Sequence, residues 1–377
     1  MEGLIEFVES VPEFRRISKG NYRHKLSDIL LLFIMARASG CGGRTDIMEF
    51  GKHNLNKFRS MGRFMNGIPS EPTLCRIEKG IDEGQLSRKM SDFENKYYAE
   101  LTKGHEPDII CVDGKALRGT LQENGRNPDI VSAYSSSTGL TLATEACREK
   151  SNEITAVPVL LDKVNIEGRI ITADAMSMQK AIIDKIRLKG ADFVIELKAN
   201  QRSLRYGIED KIKHQVPVQS YSEGPALEHG RIETRTYRVY EGLPLIEDKA
   251  KWGGNLTVIA FEARTVKKST GLVTSEERLY ISSLRPDARN LAKIIRSHWK
   301  IESMHWSLEC NFEQDNIKRK DTRAARNLDT IHIIVHSLFN IWRGKRKKLS
   351  DKAKGIAELM RNISQSFTKL MRFLSQI

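Results

Sequence analysis

The sequence predicts an α/β protein, in which a helical N-terminal region precedes a core of alternating strands and helices. Three observations predict this class. Apolar residues recur at helical spacing near the N-terminus, short β-branched segments follow from about residue 107, and two of these segments end on an aspartate, at Asp113 and Asp174. A chain of 377 residues with 40% hydrophobic residues is long enough for two or three structural units, each with its own core.

The N-terminal domain, residues 1–100, is predicted to be helical. Apolar residues between 26 and 33 recur at helical spacing, and Ser27 and Asp28 are expected to cap that helix. The turn at 67–72 precedes a short helix at 73–77, a spacing similar to that of a helix-turn-helix. A helical bundle that supports the core and a DNA-reading module fit this pattern equally well, so both interpretations stay open.

Residues 101–203 form the first part of the predicted core. Strands are expected at 108–113, 130–134, 140–146, 169–174 and 193–197, with one helix near 153–161 and a second between Ser177 and Gly190. Ser177 is expected to cap the second helix and Gly190 to close it, and the residues expected to line its buried face are Met178, Ala181, Ile182 and Ile186. The resulting order, βββαβαβ, is that of an RNase H-like core.

A β-rich insertion at 204–285 is predicted next, with strands at 234–240, 256–264 and 277–282. The core resumes at 286–345 with a long helix that starts near Asp287. A basic helical tail at 346–377 completes the predicted domain organisation.

The charge balance favours a polyanionic partner. The 62 Lys and Arg residues against 48 Asp and Glu give a net charge of +14, and Lys or Arg bound to phosphates releases condensed counterions. The five cysteines are scattered without a CxxC pair, which argues against a zinc ribbon or a disulfide framework. The N-terminus lacks an apolar signal segment, and the longest apolar run, 29–38, is shorter than the ~20 residues that span a bilayer. We therefore expect a cytoplasmic protein with no membrane partner.

Asp113 and Asp174 have the residue type and the position that two-metal phosphoryl transfer requires. Two Mg²⁺ ions, about 3.5–4 Å apart, hold the attacking and leaving oxygens of a phosphodiester, and such hard ions prefer carboxylate oxygens. One aspartate after a strand is usually a turn or cap residue. Two that each end an apolar strand in this order favour chemistry, with Glu302 of the late helix as the third acid.

The late helix presents a polar face. The residues that share this face by helical spacing are His298, Glu302, His305 and Glu309, and those on a neighbouring apolar face are Ile294, Ile301 and Leu308. Zinc binding by the first three polar residues is an alternative. No HExxH pattern is present, however, and zinc binding there would leave the two aspartates unexplained.

Five ordered motifs carry a resemblance that runs from about residue 10 to about residue 340. They are Asp113–Gly119 (DGKALRG), Thr172–Asp174 (TAD), Leu197–Gln201 (LKANQ), His229–Arg235 (HGRIETR) and His298–Trp306 (HWKIESMHW). Together they resemble the H-repeat-associated (ISAs-type) insertion-sequence transposases of the DDE superfamily. The resemblance implies an RNase H-like catalytic domain with a β-rich insertion, and it assigns catalysis and metal binding to Asp113, Asp174 and Glu302.

The resemblance also implies an endonuclease and strand transferase that cuts the ends of an insertion sequence and joins them to target DNA. It implies two Mg²⁺ or Mn²⁺ ions, double-stranded DNA as partner, a homodimer on that DNA and a bacterial, nucleoid-associated location. The candidate DNA contacts are Lys115, Arg118, Lys198, Asn200, His229, Arg231, Arg235 and His298. A salt bridge would explain Lys115 and Arg118 equally well. Likewise, His229, Arg231 and Arg235 of the insertion could be turn residues of a hairpin.

The sequence departs from a wider signature of related transposases, Tyr-x2-Arg-x3-Glu-x6-Lys around the catalytic Glu. Counting from Glu302, those positions hold Ile295, His298 and Glu309. Since Glu309 cannot replace a cationic phosphate contact, the Tyr, Arg and Lys roles are not transferred. Three further acids, Glu309, Glu313 and Asp315, leave open which one completes the site.

Two other functions remain open from the sequence. An RNase H-like DNA nuclease would share the metal site but would not join cut ends to target DNA. A domesticated, transposase-derived DNA-binding protein would have lost catalysis altogether.

Overall fold

The described part of the N-terminal region contains six helices, so it is helical as the sequence predicts. The computed structural model describes residues 1–16, 23–103, 107–121, 125–147, 153–228, 230–242, 244–247, 252 and 255–377. The N-terminal helices are α1 (Glu2–Ser10), α2 (Leu26–Ala38), α3 (Arg44–His53), α4 (Leu55–Ser60), α5 (Glu71–Gly80) and α6 (Glu83–Leu101). Helix α5 follows the predicted turn and has Pro72 in its first turn, where a missing N–H costs no hydrogen bond.

The predicted cap of α2 is wrong. The helix begins at Leu26 after Lys25, and no side chain caps it. Asp28 instead is the third residue of the helix, in its first turn, where its carboxylate pairs with Arg63 at 3.0 Å. The carboxylate is therefore used in a tertiary ion pair, which the local sequence pattern does not reveal.

The core elements follow in the predicted order βββαβαβ, which confirms the fold class. They are β1 (Ile109–Ala116), β2 (Asp129–Ser135), β3 (Thr141–Ala146), α7 (Glu153–Asp162), β4 (Ile170–Ala173), α8 (Lys180–Leu188) and β5 (Asp192–Leu197). Strand β1 continues past Asp113, where the sequence predicted its end. Its pairing with β4 nevertheless stops at Val112, so Asp113 still lies at the end of that ladder.

Two details predicted for α8 are wrong. Ser177 does not cap the helix, because Ala175–Ser177 forms a 3-10 turn and α8 begins three residues later, after Gln179. Ala181 is exposed, and Ile183 takes the buried position beside Ile182 and Ile186. The other three residues of the predicted face, Met178, Ile182 and Ile186, are buried as predicted. Gly190 has a φ of 71° and closes the helix as predicted.

The insertion is β-rich, but it begins with a helix. Its elements are α9 (Arg202–Ile212), β6 (Gln219–Glu228), β7 (Arg231–Glu241), β8 (Thr257–Lys267) and β9 (Val273–Ser282). The sequence prediction missed helix α9, although Leu204, Ile208 and Ile212 recur at helical spacing. Strand β9 pairs antiparallel with β5, so the insertion extends the core sheet.

The C-terminal helices are α10 (Ala288–Asn311), α11 (Thr322–Gly344), α12 (Leu349–Lys352), α13 (Ile356–Ser364) and α14 (Phe367–Leu374). Helix α10 starts where predicted, with the Asp287 carboxylate accepting from the backbone N–H of Asn290 at 3.0 Å. Its predicted apolar face is buried, since Ile294, Ile301 and Leu308 are at most 1% exposed. Within the described residues, every helix is too short or too polar to cross a bilayer.

The chain forms two compact units. Unit 1 comprises Met1–His105, Gly114–Glu149 and Glu302–Ile377, and unit 2 comprises Glu106–Asp113 and Lys150–Ile301. In unit 1, α11 is buried along most of its length and packs on α2, α5, α6 and β3. In unit 2, the strand order is β1-β4-β5-β9-β8-β7-β6, with β1, β4 and β5 parallel to one another and the remaining neighbours antiparallel.

Candidate active site

Asp113 and Asp174 lie at the same end of two adjacent strands in unit 2. Strands β1 and β4 run parallel, and their last paired residues are Val112 and Ala173. The two aspartates directly follow this pair, so the fold brings them together at one edge of the ladder. Burial, together with the nearby charge of Asp113, raises the pKa of Asp174. We call these two carboxylates the strand-end pair.

The backbone that follows Asp174 is held by the motif Leu197–Gln201. The side-chain amide of Asn200 donates to the carbonyl of Ala175 at 2.5 Å, and that of Gln201 donates to the carbonyl of Met178 at 2.9 Å. Asn200, predicted as a DNA contact, thus braces the 3-10 turn. Gln201 was not singled out, although its place in the motif was the signal that could have found it.

The first half of helix α10 is fixed on the strands of the pair. Cys111 and Thr172 are register partners on β1 and β4. The Cys111 thiol, whose pKa burial raises to about 12, donates to the Ser297 carbonyl at 3.3 Å. The Thr172 hydroxyl lies 3.0 Å from Nδ1 of His298.

Each of these strand residues precedes an aspartate by two positions, and side chains two apart share a face of a strand. The part of helix α10 that belongs to unit 2 therefore packs on the face of the strands from which the strand-end pair projects. Glu302 lies one turn after His298 on the same helix and is exposed.

Lys115 and Glu309, both in unit 1, form an ion pair at 2.5 Å. The Lys115 side chain is 8% exposed and that of Glu309 is 35% exposed. The Lys115 ammonium holds the pKa of Glu309 below its ordinary value, with smaller contributions from Arg118 and His305. Lys115 therefore occupies a salt bridge, one of its two predicted roles. Glu309, whose role the sequence left open, is its partner.

The other predicted DNA contacts differ in how available they are. Arg118, Lys198 and Arg231 are all exposed, and Lys198 also pairs with Glu196 at 3.1 Å. Arg235 is buried, pairs with Glu233 at 2.7 Å and lies over the ring of Trp299. His229 lies outside the described residues.

Among the residues that the structure describes, no group of three or more His, Cys, Asp or Glu side chains stands in a metal-binding arrangement. In unit 2, the fold brings together the two carboxylates of the strand-end pair, Asp113 and Asp174. Two carboxylates at adjacent strand ends offer the hard oxygen ligands that Mg²⁺ prefers.

The family of the chain is shown by its similarity to family models. The model "Transposase DDE domain" matches residues 104–338, and the model "DDE_Tnp_1-associated" matches residues 5–93. Because the first match covers more than half of the chain, the chain belongs to the family of transposases with a DDE domain.

The chain is also similar to individual proteins over most of their length. The chain is 33% identical to "Putative transposase YncI" of Escherichia coli O157:H7, over 100% of both chains. It is also 33% identical to "H repeat-associated putative transposase YhhI" of Escherichia coli strain K12, over 90% of this chain and 91% of that one. The predicted membership in the H-repeat-associated group is therefore confirmed. "Inactive transposase YbfQ" of the same strain is 38% identical over 23% of this chain and 98% of its own length.

Among solved structures, the fold is similar to a piggyBac transposase synaptic complex with hairpin DNA. The TM-score is 0.49 at 12% identity, over 98% of this chain and 78% of that one. At this level of similarity, nothing further about this chain is inferred from it.

Proposed function

We propose that this chain is a DNA transposase that cuts at the ends of an insertion sequence and joins the cut ends to target DNA. The observation that carries the proposal is the strand-end pair, two carboxylates that immediately follow the last paired residues of adjacent parallel strands. They lie inside the region that matches the transposase family. Double-stranded DNA is the proposed partner, handled by a homodimer in the bacterial cytoplasm and nucleoid.

The strand-end pair fits divalent cations. The charge of Asp113 contributes to the raised pKa of Asp174, so the two carboxylates repel each other and a cation would relieve that repulsion. Asp113 and Asp174 would hold Mg²⁺ or Mn²⁺, and Glu302 is the third proposed ligand. When bound, two such ions supply Lewis-acid stabilisation of the attacking and leaving oxygens of the phosphodiester.

The chain's own residues prepare this site. The backbone N–H groups of Met176 and Ser177 favour the charged form of Asp174, in opposition to its burial. The Asn200 amide keeps the turn after Asp174 in place. The contact between His298 and Thr172 fixes the part of helix α10 that leads to Glu302. Asp113, Asp174 and Glu302 are thus proposed to bind the ions, while Asn200 and His298 act as positioning residues.

The test is cleavage and strand transfer on element-end DNA with Mg²⁺, comparing the wild-type chain with Asp113→Ala and Glu302→Ala. Both variants are expected to lose cleavage and to keep their DNA affinity, because metal ligands contribute to chemistry rather than to backbone binding. Full activity in both variants would overturn the assignment of these acids.

The same assay separates the two other functions. Cleavage without joining would indicate a nuclease. DNA binding by a wild-type chain that neither cuts nor joins DNA would indicate a transposase-derived binding protein.

A further inference from the structure

The last 35 residues of the chain, 343–377, carry most of its excess charge. They contain ten Lys and Arg residues against two acids, Asp351 and Glu358, in a chain whose net charge is +14. Asp351 is already paired with Lys354 at 2.8 Å. The acidic residues of the segment therefore neutralise little of its positive charge.

This basic segment is folded onto unit 1. Phe367 of α14 packs edge-on against Phe58 at 5.3 Å between ring centres. Phe373 stacks on Trp342, whose indole N–H donates to the side chain of Gln376 at 2.8 Å. The N-terminal ammonium of Met1 donates to the carbonyl of Leu374 at 2.7 Å. The segment thus has a fixed surface.

Helices α13 and α14 are amphipathic, and their apolar faces are covered. The buried residues are Ile356, Leu359, Met360, Ile363, Phe367, Leu370, Phe373 and Leu374. A helix that binds a membrane surface needs its apolar face free for the lipid. With that face packed on the protein, the polar and basic side remains for a partner.

Six cations of this segment are exposed. Lys369 donates to the side chain of Gln365, and the other five are Lys347, Lys348, Lys352, Arg361 and Arg372. Within the described part of the chain, none of them forms an ion pair. Exposed lysines elsewhere do have acidic partners, as Lys96 has in Glu6 at 2.7 Å and Lys180 has in Asp184 at 2.8 Å. We call these five residues the C-terminal basic surface.

We propose that the C-terminal basic surface binds the phosphate backbone of double-stranded DNA without regard to sequence. The inference rests on the proposed function for the choice of DNA, and it assigns to DNA a surface outside the five motifs. Regularly spaced phosphates suit it, because each unpaired Lys or Arg can neutralise one phosphate and release its counterion.

The test is the salt dependence of binding to a random-sequence duplex by the full chain, measured by fluorescence anisotropy in EDTA. The variant replaces all five residues of the surface by Gln. Its affinity at about 0.1 M salt should fall about 100-fold or more, and the slope of log affinity against log salt should shrink by roughly three to five. A second variant, in which each Lys of the surface is replaced by Arg and each Arg by Lys, should have the wild-type slope.

The matched control removes the same charge from exposed positions outside the surface. It carries Gln at the five positions Arg88, Lys96, Lys103, Lys180 and Lys213, all of which are exposed. This variant should keep most of the wild-type slope. An equal loss in the control would show that net charge, not this surface, determines binding, and would overturn the proposal.

Two further outcomes would also overturn it. One is an unchanged slope in the five-site variant. The other is binding to phosphatidylserine vesicles without binding to DNA. The proposed function is tested separately, by measuring Mg²⁺-dependent cleavage. If the wild-type chain cleaves DNA and the five-site variant binds DNA normally, only this inference fails. If the five-site variant loses DNA binding but the wild-type chain does not cleave DNA, only the proposed function is contradicted.

Discussion

The strand ends of unit 2 and the second half of helix α10 in unit 1 both concentrate acidic side chains, but the two regions neutralise them differently. At the strand ends, burial and the charge of Asp113 raise the pKa of Asp174. On helix α10, the Lys115 ammonium lowers the pKa of Glu309. An acid beside another acid is stabilised by a cation from outside, whereas an acid beside a lysine already has its counterion. The first arrangement suits a metal site and the second suits a structural ion pair.

The largest expected effect separates these two acids by activity. Asp174→Asn keeps the shape of the side chain but removes its charge, so we expect Mg²⁺-dependent cleavage to fall at least ~10³-fold, or about 4 kcal/mol in the barrier. DNA affinity should stay within about threefold, since the carboxylate makes no favourable contact with phosphate. Single-turnover cleavage and anisotropy measure the two quantities.

Glu309→Gln is the matched control for this experiment. It removes one negative charge from an acid that is already paired, so cleavage should fall less than about tenfold. Equal losses of cleavage in both variants would break the distinction between a metal-binding acid and an ion-paired one.

A further acid, Asp329 of unit 1, is buried and is paired with the side chain of Gln314 rather than with a lysine. Burial raises its pKa from 3.8 to about 6, and the side-chain amide of Gln314 donates to it. A carboxyl with a raised pKa stabilises the fold fully below its unfolded value, and that contribution is lost as pH rises through about 6. The loss should total about 3 kcal/mol.

Asp329→Asn removes this titration and keeps an amide oxygen for Gln314. The free energy of unfolding of the variant minus that of the wild type should therefore rise between pH 4 and pH 6, the interval set by the two pKa values, and then level off. Urea denaturation at a series of pH values measures the difference. A difference that is constant with pH would mean that Asp329 titrates normally.

A smaller effect is expected from breaking the Lys115–Glu309 pair. Glu309→Leu leaves the buried Lys115 ammonium without its partner, and the partial exposure of Glu309 limits the cost to about 2 kcal/mol. The double variant with Lys115→Met should recover most of that loss, because two apolar side chains replace the pair. Thermal or urea unfolding of the two single variants and the double variant measures this coupling, and strictly additive losses would contradict it.

The local sequence predicts the strand-end pair well and the ion pair poorly, for a physical reason. The apolar runs before Asp113 and Asp174 are local signals, and parallel strands bring their carboxyl ends to one edge. Lys115 and Glu309 lie 194 positions apart, and the pattern around either residue contains no trace of the other. The catalytic roles of Asp113, Asp174 and Glu302 stay predictions until activity is measured.

One error in the fold has the same origin. Ser27 and Asp28 look like caps because their composition suits a helix start, but the tertiary pairing of Asp28 with Arg63 outweighs that preference. Helix α9 is an error of a different kind, because Leu204, Ile208 and Ile212 recur at helical spacing in the sequence itself. In the C-terminal tail, the sequence shows the cations, whereas the structure shows that the apolar faces between them are covered.

Asn200 has two possible roles at the strand ends, a DNA contact and a residue that positions Asp174. The sequence predicts the DNA contact, whereas in the structure its side-chain amide donates to the carbonyl of Ala175. If Asn200 positions Asp174, then Asn200→Ala should raise the Mg²⁺ concentration for half-maximal cleavage about tenfold, as loss of a ligand-supporting hydrogen bond typically does. DNA affinity should not change. A matched control is Asn95→Ala, which removes an amide that donates to the carbonyl of Ser91 at 2.7 Å in unit 1 and should leave the Mg²⁺ dependence unaltered. A weaker DNA affinity with an unchanged Mg²⁺ dependence would instead make Asn200 a direct DNA contact, and the strand-end pair would then depend on its own backbone turn for its position.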